Sequence, residues 1–114
     1  MLRWIVFVLT TWIATHAVDE TVWWPNSKFD QRKWVSAEAG ERYVYAKDLV
    51  KSGVLIGMQE DEVIALLGPS NPAYNPPSSI QYLIKRSTRG FAAFYILDIR
   101  LVDGRVSKAF VRFD

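Results

Sequence analysis

Gly57-Met58-Gln59-Glu60-Asp61-Glu62-Val63-Ile64-Ala65-Leu66-Leu67-Gly68-Pro69 reads as a short helix whose start and stop are both written into the chain. Val63, Leu66 and Leu67 stand at i, i+3 and i+4, so they form one apolar stripe over about two turns. A helix this short is marginal alone, and its stripe must pack on something. Glu60, Asp61 and Glu62 crowd the first turn, where negative charge suits the positive end of the helix dipole. Glu62 is spaced to reach back to the cap, and Met58 and Val63 have the spacing of a hydrophobic staple. At the far end Gly68 can take the left-handed C′ conformation, and Pro69 cannot continue the helix.

Working toward the C-terminus, residues 69 to 79 contain four of the five prolines and cannot form helix or central strand. This stretch is a crossover, and its stiffness also suits it to contact another molecule through Tyr74, Pro76 and Pro77. Residues 80 to 85, 93 to 102 and 105 to 113 then alternate as three strands. Leu97, Ile99 and Leu101 share one face of the middle strand, and Asp98 and Arg100 share the other, the solvent face of a half-buried sheet. Asp103-Gly104 is a two-residue hairpin signal that sets Leu101 opposite Val106 and Leu97 opposite Phe110. The last strand carries two competing alternations, Val106, Lys108 and Phe110 against Ala109, Val111 and Phe113, which leaves room for a bulge. Residues 86 to 90 are the turn between the first two strands.

Toward the N-terminus, Tyr43, Ala46, Leu49 and Val50 repeat at helical spacing over residues 41 to 52, and Gly53 supplies the stop. Val54-Leu55-Ile56 reads as a buried apolar linker. Residues 18 to 40 show no clean period and read as an extended strap that holds Trp23, Trp24, Phe29 and Trp34. Its tryptophans are either interface anchors or a cover for the open face or edge of the sheet. Asp30 is placed to cap a helix containing Trp34.

The first 17 residues have the order of a secretory signal peptide: Arg3, an apolar run over residues 4 to 14, and Ala17 ahead of Val18-Asp19-Glu20. The run is about half the length needed to span a bilayer, so cleavage near Ala17 and a periplasmic or secreted destination are expected. Taking Arg3 from the 14 basic residues leaves 13 against 12 acidic ones, and His16, the single histidine, goes with the leader. A near-neutral domain with unclustered basic residues gives no reason to expect nucleic acid. There is no cysteine, hence neither a disulfide framework nor a lipid anchor through cysteine. Without His or Cys the processed chain has no Ser-His or Cys-His nucleophile and no imidazole or thiolate for zinc. Asp98 and Asp103 leave carboxylate chemistry formally open, but one suits a solvated strand face and the other a hairpin turn. The expectation is therefore no enzyme, no metal and no cofactor.

The order ααβββ, two helices packed on a three-stranded antiparallel meander, defines an α+β fold over residues 41 to 114. The Gly57-Met58 start, Val63, Leu66-Leu67-Gly68-Pro69, the strand led by Tyr82 and the turn Asp103-Gly104-Arg105-Val106 resemble the SmpA/OmlA, or BamE-like, domains. The wider fold group of that family includes the β-lactamase inhibitory proteins. Phe29-Asp30 with Trp34 ahead of Asp48-Leu49 is similar to small exported members. Gln59 stands where such chains often cap with Ser or Thr, and Tyr95 where they often have Trp. The resemblance implies a protein-interaction or envelope-scaffold module whose partner is an envelope or secreted protein. Trp23, Trp24, Tyr74, Pro76 and Pro77 are its candidate contacts. It also implies an alternative, an inhibitor or immunity-type protein that binds a secreted hydrolase. A third reading, lipid or another small apolar ligand, follows from the aromatic content, and peripheral membrane contact stays open.

Overall fold

A computed structural model describes residues 20–71, 78–86 and 94–113. The expected leader, residues 1–17, the contacts Tyr74, Pro76 and Pro77, and residues 87–90 of the first turn lie outside these residues. The described chain runs through α1 (Gln31–Ser36), α2 (Tyr43–Ser52), α3 (Glu60–Leu67), β1 (Ser79–Arg86), β2 (Phe94–Val102) and β3 (Arg105–Phe113). Single 3-10 turns at Glu20–Trp23 and Ala39–Glu41 precede α1 and α2. The strands form an antiparallel sheet in the order β1-β2-β3 with the helices packed on one face. This is the expected α+β meander. No helix among the described residues is long and apolar enough to cross a membrane.

α3 begins as its sequence dictates. The Gln59 N–H donates to the Glu62 carboxylate at 2.8 Å, and Met58 lies half-buried against the core to which Val63 belongs. Its C-terminal end departs from the expected left-handed cap. Gly68 has φ 85° and ψ −174°, a conformation open essentially to glycine alone, which turns the chain sharply out of the helix. Two distant side chains satisfy the carbonyls this exit leaves free. Trp34 Nε1–H donates to Leu67 O at 2.9 Å, and the Tyr82 hydroxyl donates to Gly68 O at 2.7 Å.

The strap is not extended throughout. Asp30 caps α1 by accepting from the Lys33 N–H at 3.1 Å, and the short helix drives Trp34 into the core, where it is fully buried. Trp34 meets Tyr82 edge to face at 6.1 Å, and the Arg42 guanidinium lies over the Trp34 ring at 5.1 Å. The linker also departs from expectation. Leu55 is buried, but Val54 and Ile56 are exposed, because the turn after Gly53 brings only the central residue inward.

A one-residue bulge governs β3. Leu101 pairs with Val106 as the hairpin predicts, and Asp103 and Gly104 both have the positive φ that a type I′ turn requires. Arg100 then pairs with Lys108, so Ser107 is the extra residue. The expected partner of Leu97 shifts accordingly from Phe110 to Val111. Val106, Ala109 and Val111 thereby all join the core, while Phe110 turns to the opposite face with Asp98, its actual cross-strand partner.

Candidate binding groove

Residues 20 to 29 lie along α2, held at several points. The Ser27 N–H donates to Val44 O at 3.0 Å and the Phe29 N–H to Asp48 Oδ2 at 2.8 Å. Lys47 Nζ reaches the carbonyls of Trp24 and Val22 at 3.3 and 3.5 Å. The two adjacent tryptophans of this segment part company. Trp23 is 86% exposed, whereas Trp24 is only 7% exposed and meets Tyr43 at 5.3 Å and Tyr95 at 4.8 Å, both edge to face. Of the two expected anchors, Trp23 presents a surface ring and Trp24 completes the core.

Trp24 stops short of closing the molecule. Between it, α2 and the outer edge of β3 runs an open groove of about 690 Å³. Ala46, Val50, Tyr95, Phe110, Val111 and Phe113 give it an apolar lining, with Phe113 packed on Tyr95 at 4.9 Å. Thr21, Asn26, Lys47 and Lys51 give its polar margin, which contains two cations and no carboxylate. The Trp24 indole N–H is buried beside the groove and finds no acceptor among the described residues. Such a donor costs about 1–3 kcal/mol relative to a paired one.

The opposite face of the sheet holds the second notable constellation. Asp98 was expected to face solvent, but its side chain is fully buried beneath its neighbours. Its carboxylate accepts from the Ser79 hydroxyl at 2.9 Å, from Arg100 at 2.7 and 3.0 Å, and from Arg112 at 3.0 Å. Gln81 closes the network, donating to Ser79 at 3.2 Å and accepting from Arg112 at 3.1 Å. Burial pushes the Asp98 carboxyl up, but the hydrogen bonds from Arg100, Ser79 and Arg112 and the Arg100 charge outweigh it, leaving it below its ordinary value. A carboxylate so saturated with donors has no free lone pair directed at a substrate, and this arrangement fastens the three strands together.

Elsewhere burial raises the Tyr82 hydroxyl above its ordinary range, partly offset by Arg42. Burial likewise lowers Arg42, partly offset by Tyr82. These two belong to the core around Trp34. No group of three or more His, Cys, Asp or Glu side chains comes together among the described residues. Asp103 lies exposed in the hairpin turn and takes no part in the Asp98 network.

The groove combines positions that the sequence distributes among separate elements. Trp24 was legible as an aromatic of the strap. The α2 contribution, Lys47 and Lys51 one turn apart with Val50 between them, carries a weak signal of one mixed helix face. The contribution of Val111 and Phe113 depends on the bulge. Comparison of the chain with family models, with curated proteins and with solved structures finds no match.

Proposed function

We propose that this chain is a non-enzymatic protein-interaction module of the cell envelope, as the SmpA/OmlA resemblance implies, and that the groove beside Trp24 is its contact surface. The observation that carries the reading is the groove itself, an open apolar trough along the part of β3 that pairs with no described segment other than β2. Its ionisable lining, Lys47, Lys51 and Tyr95, supplies no acid-base pair. Exposed Val22, Trp23 and Phe113 extend the apolar surface around it. Exposed aromatic and apolar residues grouped about a trough are the anatomy of an interface core, with lysines at its rim.

The test is photo-crosslinking in the producing cell from position 23 or 113, with position 103, exposed in the hairpin turn at the opposite end of the sheet, as a control, and mass spectrometry of the mature N-terminus. A discrete envelope-protein adduct from the groove positions alone supports the module. A single stoichiometric hydrolase moves the reading to an inhibitor. Adducts indifferent to position contradict the site.

A small apolar ligand is the second reading, favoured by the groove volume, which falls in the range of ligand pockets. Native mass spectrometry of the purified chain separates it from the first, since a ligand would travel with the protein.

A further inference from the structure

The free edge of β3 carries more information than its exposure. β1 is bridged along its outer side by Asn71, whose N–H donates to Gln81 O at 3.0 Å and whose side chain accepts from the Leu83 N–H at 2.9 Å. The start of β3 is also covered. Gly57 N–H donates to Val106 O at 2.9 Å, and Val106 N–H to Met58 O at 2.8 Å. Beyond the bulge, no described segment pairs with β3 except β2.

The direction of the unused backbone groups follows from the ladder. The Leu101 N–H donates to Ser78 O, on the β1 side, so by alternation Ile99 and Leu97 also turn their backbone toward β1. Their β3 partners, Ala109 and Val111, are consequently the wide pairs, with N–H and C=O pointing away from the sheet. Phe113, two residues on, does the same. Ala109 packs against the core and Val111 and Phe113 line the groove. Lys108 and Arg112 face the other way with Asp98 and Arg100, as does the Phe110 ring under Arg100 and Lys108, although Phe110 also borders the groove.

We infer that the groove takes an extended segment of a partner protein, which adds to the sheet as a fourth strand beside residues 109 to 113 and alternates apolar with acidic side chains. This rests on the groove being a protein-binding surface. Cross-strand partners share a face, so the segment's residues bonded to Ala109, Val111 and Phe113 direct their side chains into the apolar trough. The residues between them lie on the face of Lys108 and Phe110, where Lys108 is the cation at the edge. Arg100 and Arg112 reach inward to Asp98, so these charges together are three cations against one carboxylate. At the trough, Lys47 and Lys51 add positive charge and no described lining residue offsets it. Charge also argues against a second copy as occupant, because self-pairing of β3 brings the same cations together on one face, where like charges oppose pairing.

The test uses the full chain with four capped eight-residue probes: alternating Glu and Val, alternating Lys and Val, and the Glu-Val peptide N-methylated either at every Val or at every Glu. The expected result is binding of the Glu-Val peptide with slowed amide exchange at Ala109 and Val111, and at least tenfold weaker binding of the Lys-Val peptide. N-methylation at Val should weaken binding at least tenfold, since those N–H groups face β3, and N-methylation at Glu should leave it nearly unchanged. Lys108→Glu, an exposed change, should narrow the preference for the acidic peptide severalfold. Equal loss from both N-methylated peptides, or from neither, overturns strand addition but leaves the groove standing as a protein site. Concentration-dependent protection of the same amides without peptide assigns the edge to a second copy and overturns the proposal. If no peptide binds, strand addition fails, and dodecanoate binding in that case removes the protein reading of the groove as well.

Discussion

Two tryptophans on one short segment meet opposite fates in hydrogen bonding, and that difference sets what each contributes to stability. Trp34 fills the core and its N–H satisfies the last carbonyl of α3, so Trp34→Phe leaves a void and an unpaired Leu67 O. The expected loss is about 2–3 kcal/mol. Trp24→Phe removes the same volume, but beside an open groove rather than inside the core, together with a donor that has no acceptor among the described residues, so its effect should stay within about 1 kcal/mol. Urea unfolding of the two variants checks the contrast, and equal losses would show that the Trp24 N–H is paired after all. Asp98 gives a prediction in pH. Its folded-state carboxyl lies below the ordinary value, so it contributes stability that is present above the unfolded pKa, about 3.9, and lost as pH falls through the folded one. Asp98→Asn should cost about 2 kcal/mol at pH 7, less than a wholly buried pair because both arginines reach solvent. The deficit should shrink below pH 4, as seen in urea midpoints taken from pH 7 to pH 3. The alternation of β2 placed Asp98 on the correct face. It did not reveal the burial, which comes from Arg112 and Ser79 on the two flanking strands and has no local signature.

At the scale of elements, the start of α3 and the hairpin were legible because short-range chemistry determines them, whereas the exit of α3 is completed by the distant Trp34 and Tyr82. Glu62 acts within one turn of Gln59, and Asp103-Gly104 decides its own turn. The register of β3 beyond Ser107 was not legible, since two alternations of similar apolar content compete there and only the opposing strand and helices choose between them. This makes Ser107 a sharp probe. Val106 faces the core and Lys108 faces away, so deletion of Ser107 leaves a continuous strand with the alternation already correct. Leu97 should still lie opposite Val111, the sheet should lose local twist, and stability should change by no more than about 1 kcal/mol. A cross-strand contact between Leu97 and Val111 in the NMR spectrum of the deletion variant checks this. Contact between Leu97 and Phe110 instead would mean that the bulge, rather than burial of Val111 and Ala109, holds the register. The groove depends on the same choice, which explains why a reading of Trp23 and Trp24 alone could point toward a site without drawing its other wall.

Over the whole molecule, the segment before α2 divides into two parts with different attachments. Residues 20 to 29 are held by α2, through Val44, Lys47 and Asp48, and by the Trp24 contacts with Tyr43 and Tyr95. Residues 30 to 36 are held by α3 and β1, through Trp34 on Leu67 and Tyr82 and through Gln31, whose side chain donates to Ala65 O at 3.1 Å. Only the second part fills the centre of the core. A chain beginning at Phe29 should therefore fold, losing the burial of Trp24, about 2–4 kcal/mol, and with it about 10–20 °C in Tm. A chain beginning at Ala37 loses Trp34 as well and uncaps the carbonyl end of α3, a combined deficit near the whole stability of a domain of this size, so it should be largely unfolded. Thermal unfolding followed by circular dichroism distinguishes the two. If the shorter chain unfolds with a sharp, cooperative transition close to that of the longer one, Trp34 is not the keystone its burial and hydrogen bond make it, and the core must be carried by Leu49, Leu67, Tyr82 and Leu97 alone.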